Sequence, residues 1–181
     1  ILIEDCAQAF GASLNKKKAG TFGDFGTFSF SPMKVFGGFG NAGAIVFKNK
    51  KYLNKLISLR TCGTINREIC QFPELKFDID PIYAAHLNEN FNVYNELKKK
   101  RLSFAKQYIK NLSDDFKNLP KIEKEYNHTF YDFTILVNNR KKIIKYLYDK
   151  GIEVKVRHPI LINNQPIFKN LKNTKLKNAE N

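Results

Sequence analysis

Apolar positions along this 181-residue chain change period several times, and each change marks an element. Ile1 to Ile3 is a short apolar run closed by Glu4 and Asp5, which reads as a buried strand ending on two acids. Small residues between Ala7 and Ala12 permit close packing. Past glycines at 20, 23 and 26, Thr27 to Ser31 alternates as a strand with its aromatic residues on one face. Gly37, Gly38, Gly40 and Gly43 predict a tightly turned loop before a further strand, Ala44 to Lys48. Tyr52 to Arg60 reads as a helix with Leu53, Leu56 and Leu59 in register, whereas Thr61 to Phe77 shows no periodicity. Pro81 opens a long helix at its tolerated first turn. Along it Ala84, Leu87, Phe91, Tyr94, Leu97, Ala105, Tyr108 and Leu112 fall on one broad face. Phe133 to Val137 is a predicted strand, Arg140 to Asp149 an amphipathic helix, Gly151 its cap, and Ile152 to Val156 the next strand. The expected class is α/β, with a β-α-β order in the second half that suits a small α+β domain.

Composition adjusts this picture little. A net charge of +14 and a pI of about 9.7 raise the possibility of a nucleic-acid partner. The cations are dispersed, however, over Lys16 to Lys18, Lys98 to Arg101, Lys121 to Lys124, Arg140 to Lys142 and Lys169 to Lys177, mostly on helix faces or turns. A solvated surface is the plainer reading, and no nucleic-acid partner is expected. Cys6, Cys62 and Cys70 are odd in number and lack metal-ligand spacing, so neither a disulfide framework nor a metal site is indicated. No apolar run is long enough to span a bilayer, and a reducing cytoplasm is the simplest compartment.

Chemistry concentrates at Lys34, in the run Phe28-Ser29-Phe30-Ser31-Pro32-Met33-Lys34. Alone it would be a surface lysine. In an apolar, aromatic, glycine-flanked setting, desolvation favours the neutral amine, the form that attacks a carbonyl to make a Schiff base. Asp5, at the carboxyl end of a strand, faces the crevice where α/β sheets bind ligands, although it could instead cap the segment from Cys6 to Ala12. Gln8, one turn on, can share that crevice. Ser29 is a hydroxyl close to Lys34, and Ser31 is its rival on the same strand face. Gly38-Phe39-Gly40-Asn41-Ala42-Gly43 spells GxGxxG, but it leads into a strand-like stretch where the dinucleotide fingerprint requires a helix. His86, His128 and His158 are scattered.

With these residues in view, the chain resembles the DegT/DnrJ/StrS-type family of sugar aminotransferases that depend on pyridoxal phosphate (PLP). The matching phrases are IEDCAQAFGA, AGTFGDFGTFSFSPMKVFGGFGNAGAIVF and LISLRTCGT, with weaker echoes in DIDPIYAAHL and GIEVKVRHPILINNQPIF. The resemblance implies part of a fold-type I PLP-dependent large domain over residues 1–97, followed by an incomplete small α+β domain over 98–181. Relatives of this kind are expected to be longer at both ends, so the chain reads as an internal piece of a larger enzyme. By the same resemblance Lys34 is the Schiff-base lysine and proton carrier, and Asp5 the partner of the protonated pyridine nitrogen. Gln8 would contact the ring, and Ser29 would hold the phosphate. Where many members have an asparagine reaching the phosphate of the neighbouring subunit, this chain has Lys76, a charge rather than a directed amide. Asp78 replaces an arginine and Tyr83 a glutamine, departures that bear on the dimer contact and on sugar choice. His158 matches a loop near the substrate.

The implied activity is transfer of an amino group, with glutamate the expected donor, to a nucleotide-linked keto sugar, by a homodimer. A dehydratase branch carries histidine in place of the lysine, and Lys34 argues against it. Two other readings stay open: a basic module binding nucleic acid, and an inactive remnant that binds PLP poorly.

Overall fold

The computed structural model describes residues 1–113, 116, 118–168, 170 and 176. The lysines of the expected cluster from Lys169 to Lys177 lie outside the described residues. Two compact units divide between Leu136 and Val137. The boundary expected after residue 97 instead falls within one continuous helix.

The first unit is organised by a three-stranded sheet in the order β1-β4-β5, with β1 Ile3–Asp5, β4 Phe25–Ser29 and β5 Gly43–Phe47. β1 and β4 run parallel, with Asp5 opposite Thr27, and β4 and β5 run antiparallel, with Ser29 opposite Gly43. β1 and β4 therefore end on the same side of the molecule. Because side chains alternate along a strand, Asp5, Thr27 and Ser29 share one sheet face, while Glu4, Gly26 and Phe28 share the other. Beyond β1, two successive turns carry the segment from Cys6 to Ala12, closed by Ala9 N–H to Cys6 O at 3.0 Å and Ala12 N–H to Ala9 O at 2.9 Å. Gly11, with φ of +77°, suits the second turn and cannot continue a helix.

A small second sheet joins β2 Ser13–Leu14, β3 Lys17–Lys18 and β8 Tyr126–Asn127. Helix α1 spans Leu53–Arg60. The stretch expected to be irregular, Thr61 to Phe77, contains a hairpin of β6 Thr64–Ile65 and β7 Ile69–Cys70. Three residues separate the paired Ile65 and Ile69, and Asn66 and Arg67 among them both adopt positive φ, which gives the turn a twist suited to the flanking strands.

Helix α2, Pro81–Leu112, starts where Asp80 accepts the Ile82 N–H at 2.8 Å, with proline in the first turn. Its buried residues are Tyr83, Leu87, Tyr94 and Ala105, spaced at whole helical turns. The stripe is narrower than expected and includes Tyr83, while Phe91, Leu97 and Tyr108 are each more than half exposed. Against it sits an aromatic core in which Phe10 is the hub. Phe10 stacks on Phe36 at 4.5 Å between centroids and meets Phe28, Phe30 and Tyr94 edge-on. Such pairs add about 0.5–1.5 kcal/mol each beyond the apolar area they bury.

In the second unit, α3 spans Arg140–Asp149, as the periodicity predicts. Gly151, with φ of +74°, closes it through Gly151 N–H to Tyr148 O at 2.9 Å and Ile152 N–H to Leu147 O at 2.8 Å. The flanking segments Phe133 to Val137 and Ile152 to Val156, expected as strands, join no strand ladder among the described residues. Alternation sets which side chains of an extended segment turn inward, but a ladder also needs a neighbour for the backbone.

Candidate active site

Parallel pairing of β1 with β4 brings the predicted residues together. Asp5 closes β1, Ser29 closes β4, and the loop that follows Ser29 carries Lys34, so all three leave the sheet at one carboxyl end. With strands about 4.8 Å apart and a rise of about 3.3 Å per residue, Asp5 and Ser29 lie roughly 8 Å apart on one face. Gln8 is exposed in the first turn beyond β1. Asp5 also accepts the Ala7 N–H at 3.0 Å, which orients its carboxylate in a short turn.

The neighbouring acid behaves quite differently. Glu4 points to the opposite face and receives the N–H groups of Gly20 at 2.8 Å, Phe22 at 2.6 Å and Gly23 at 2.7 Å. Burial pushes its carboxyl up, but these N–H groups and the Lys48 ammonium outweigh that and hold it below the ordinary 4.5. Glu4 is thus a structural acid that ties the Gly20 to Gly23 loop across the sheet. Gly26 makes this approach possible, since a Cβ there would sit 2.4 Å from the Gly20 Cα. Cys6 follows on the core side, where burial, then Glu4 and Asp5, push its thiol up and keep it neutral.

The Lys34 loop is gripped on both limbs. Lys34 N–H donates to Ser31 O at 2.9 Å, forming a turn, and Phe36 is buried in the aromatic core just beyond. From α2, the Tyr83 hydroxyl donates to Phe30 O and accepts the Gly38 N–H at 3.1 Å, and the Asn90 amide donates to Gly37 O at 3.1 Å. Lys34 itself is half-buried, with its ammonium 5.3 Å from the centre of the Tyr131 ring. The run from Gly38 to Gly43 leads into β5, as its strand-like continuation predicts, and its glycines let the loop press against Tyr83 and His86.

Lys76 is exposed in a backbone bridge with Thr61 and shares Asp78 with Arg60, at 3.8 Å and 3.7 Å. His158 is exposed in the second unit. His86 packs on Phe39 at 4.8 Å between ring centres and contacts Asn90. Sequence reasoning missed Glu4 as a loop anchor, the clamp from Tyr83 and Asn90, and Tyr131 beside the lysine. Only the tandem Glu4-Asp5 carried a signal, because alternation along a strand must send adjacent acids to opposite faces.

A carboxylate, a hydroxyl and an amine at one carboxyl end of the sheet, with a solvent-facing amide nearby in sequence, form a donor set suited to an aromatic cationic ring with a phosphate arm. The chain belongs to the DegT/DnrJ/EryC1/StrS aminotransferase family, whose model matches residues 1–181.

Among its relatives is UDP-N-acetyl-3-dehydro-alpha-D-glucosamine 3-aminotransferase of Acidithiobacillus ferrooxidans, 31% identical, with 92% of this chain and 45% of the relative covered. The fold matches DesV from S. venezuelae, with a TM-score of 0.89 at 24% identity over 97% of this chain and 47% of that one. It also matches Spr1654 from Streptococcus pneumoniae in its PLP form, with a TM-score of 0.84 at 19% identity over 95% and 47%. The chain therefore spans about half the length of the curated relatives it matches.

Proposed function

We propose that this chain supplies the Schiff-base half of the active site of a PLP-dependent aminotransferase acting on a nucleotide-linked keto sugar. The observation that supports the reading is the parallel β1–β4 pair, whose shared carboxyl end carries Asp5, Ser29 and the start of the Lys34 loop. Bound there, PLP would serve as the electron sink that lets an amino group pass between carbon skeletons. Asp5 would hold the pyridine nitrogen protonated, its carboxylate already oriented by the Ala7 N–H. Ser29 would donate its hydroxyl to the phosphate, and Gln8 would lie against the ring. Lys34 would be the amine that bonds covalently to the cofactor and, once released, moves a proton at the reacting carbon.

The substrate class follows from family membership and from relatives such as the UDP-sugar aminotransferase of A. ferrooxidans. Glutamate as donor, a homodimer with Lys76 near the partner's phosphate, His158 near the sugar and a cytoplasmic site of action belong to the same proposal. Among the described residues no helix is long and apolar enough to cross a membrane.

An absorbance scan of the full-length protein with added PLP, with and without Lys34→Ala, tests the reading. A band near the visible edge is expected for the wild type and should vanish in the variant. A band that survives the substitution overturns the role of Lys34. Asp5→Asn should keep a Lys34-dependent band but lower transamination by at least ~100-fold, the scale of a lost proton-holding partner.

A further inference from the structure

We infer that Tyr83 is a positioning residue for Lys34, closing the neck of the lysine loop through its hydroxyl. The loop leaves β4 at Phe30 and returns past Gly37 and Gly38, with Lys34 near its apex. The Tyr83 oxygen sits between the two limbs, donating to the Phe30 carbonyl and accepting the Gly38 N–H at 3.1 Å. One hydroxyl thus ties the limbs together beyond their last direct bond, Phe30 N–H to Ala42 O at 2.7 Å. The limbs are also tightly apposed just inside this bridge, where a Cβ on Gly37 would lie 2.2 Å from the Ser31 oxygen.

The ring of Tyr83 is held as firmly as its hydroxyl. It is 3% exposed, packs against Phe39 at 5.0 Å between ring centres, and leaves no room for a Cβ on Gly38, which would meet its Cε2 at 2.5 Å. Tyr83 lies in the first turn of α2, behind the Asp80 cap and Pro81, so its backbone is anchored before the helix begins its long run. Asn90, two turns on, adds a second tie to Gly37 O. A hydroxyl rather than an apolar ring is needed here, because both loop groups are partly buried and would otherwise lose this partner. Residues that fix a loop's limbs set where its apex can deliver a side chain, and a small misplacement of a reacting amine lowers rate steeply.

The catalytic consequence rests on the reading of Lys34 given above, while the loop clamp itself does not, and the test separates the two. Tyr83→Phe is compared with wild type and with Tyr94→Phe, a matched control that loses a buried hydroxyl bonded to Phe10 O at 2.5 Å, outside the lysine loop. Amide hydrogen exchange is measured on the full-length protein without PLP. In Tyr83→Phe, exchange across Phe30 to Gly38 should rise by at least about tenfold, as expected for loss of both hydrogen bonds of the hydroxyl, and Tyr94→Phe should leave it unchanged. With PLP present, Tyr83→Phe should lower kcat and shift the pH midpoint of the Lys34-dependent band, with little change in the KM for the amino donor.

Loop exchange that stays at the wild-type level, or rises equally in both variants, overturns the inference. Loosened loop exchange with no Lys34-dependent band in wild type would sink the functional reading and leave the clamp standing. Should Tyr83→Phe fail to fold, Gly38→Ala displaces the ring from the opposite side. It is expected to raise exchange in the same segment, and unchanged exchange there overturns the inference as well.

Discussion

Two adjacent carboxylates, Glu4 and Asp5, are assigned opposite kinds of work, and substituting Glu4 tests that division. Glu4 accepts three backbone N–H groups, and two of the residues that supply them, Gly20 and Gly23, are buried. Glu4→Ala strands both. Each buried donor left without a partner costs about 1–3 kcal/mol, and partial access of water to the site trims the sum to about 3 kcal/mol. Glu4→Gln is milder. Its remaining oxygen can keep Phe22 and Gly23, while its NH2 turns toward the Gly20 N–H, for a loss of about 1–2 kcal/mol.

Urea unfolding at neutral pH measures both losses, with amide exchange at Gly20 and Gly23 reporting locally. The pH dependence has a fixed sign. The folded-state carboxyl is held below its ordinary value, so its contribution is full above pH 4.5 and disappears as pH falls through the lowered value. The gap between wild type and Glu4→Gln should therefore close in acid. Glu4→Gln should also retain the Lys34-dependent absorbance band. Equal stability of wild type and Glu4→Ala, or a Glu4→Gln variant weaker than Glu4→Ala, would refute the anchoring role.

Other outcomes follow from the same packing. Phe36→Ala removes a buried ring from the Phe10 hub and should cost about 3–5 kcal/mol, read as a lower urea midpoint, with faster exchange in the lysine loop. Gly63 has φ of +70° and a Cβ would lie 1.9 Å from the Phe72 oxygen, so Gly63→Ala should destabilise the β6–β7 hairpin by at least ~1 kcal/mol, seen as local exchange. Of the three cysteines, Cys6 should be alkylated last by iodoacetamide, because it is buried and its thiol is held neutral, while Cys62 and Cys70 are exposed. Tyr131→Phe should preserve, and Tyr131→Leu slow by about 2–5-fold, formation of the Lys34-dependent band, matching a ring–cation contact of about 0.5–1 kcal/mol.

Local periodicity determined much of this protein. The hydrophobic repeat and Gly151 locate α3 at Arg140–Asp149, and Asp80-Pro81 locates the start of α2, because caps and first turns are decided by neighbours in sequence. Acid-ended β1 and the aromatic run before Lys34 were legible for the same reason. The hairpin at Thr64–Cys70 was not, since its turn uses Asn66-Arg67, and arginine carries no signal for positive φ. Nor could alternation reveal that Phe133 to Val137 and Ile152 to Val156 join no ladder among the described residues, because pairing depends on a distant strand.

Tertiary structure alone decided which of the two acids anchors the loop. That choice arises when the parallel pairing of Ile3–Asp5 with Phe25–Thr27 turns Glu4 toward Gly20 and leaves Asp5 on the opposite sheet face. It also decided that Tyr83, far along the chain, would hold the two limbs of the lysine loop. Hydrogen bonds between residues widely separated in sequence leave no periodic trace, and only the folded backbone brings their partners within reach.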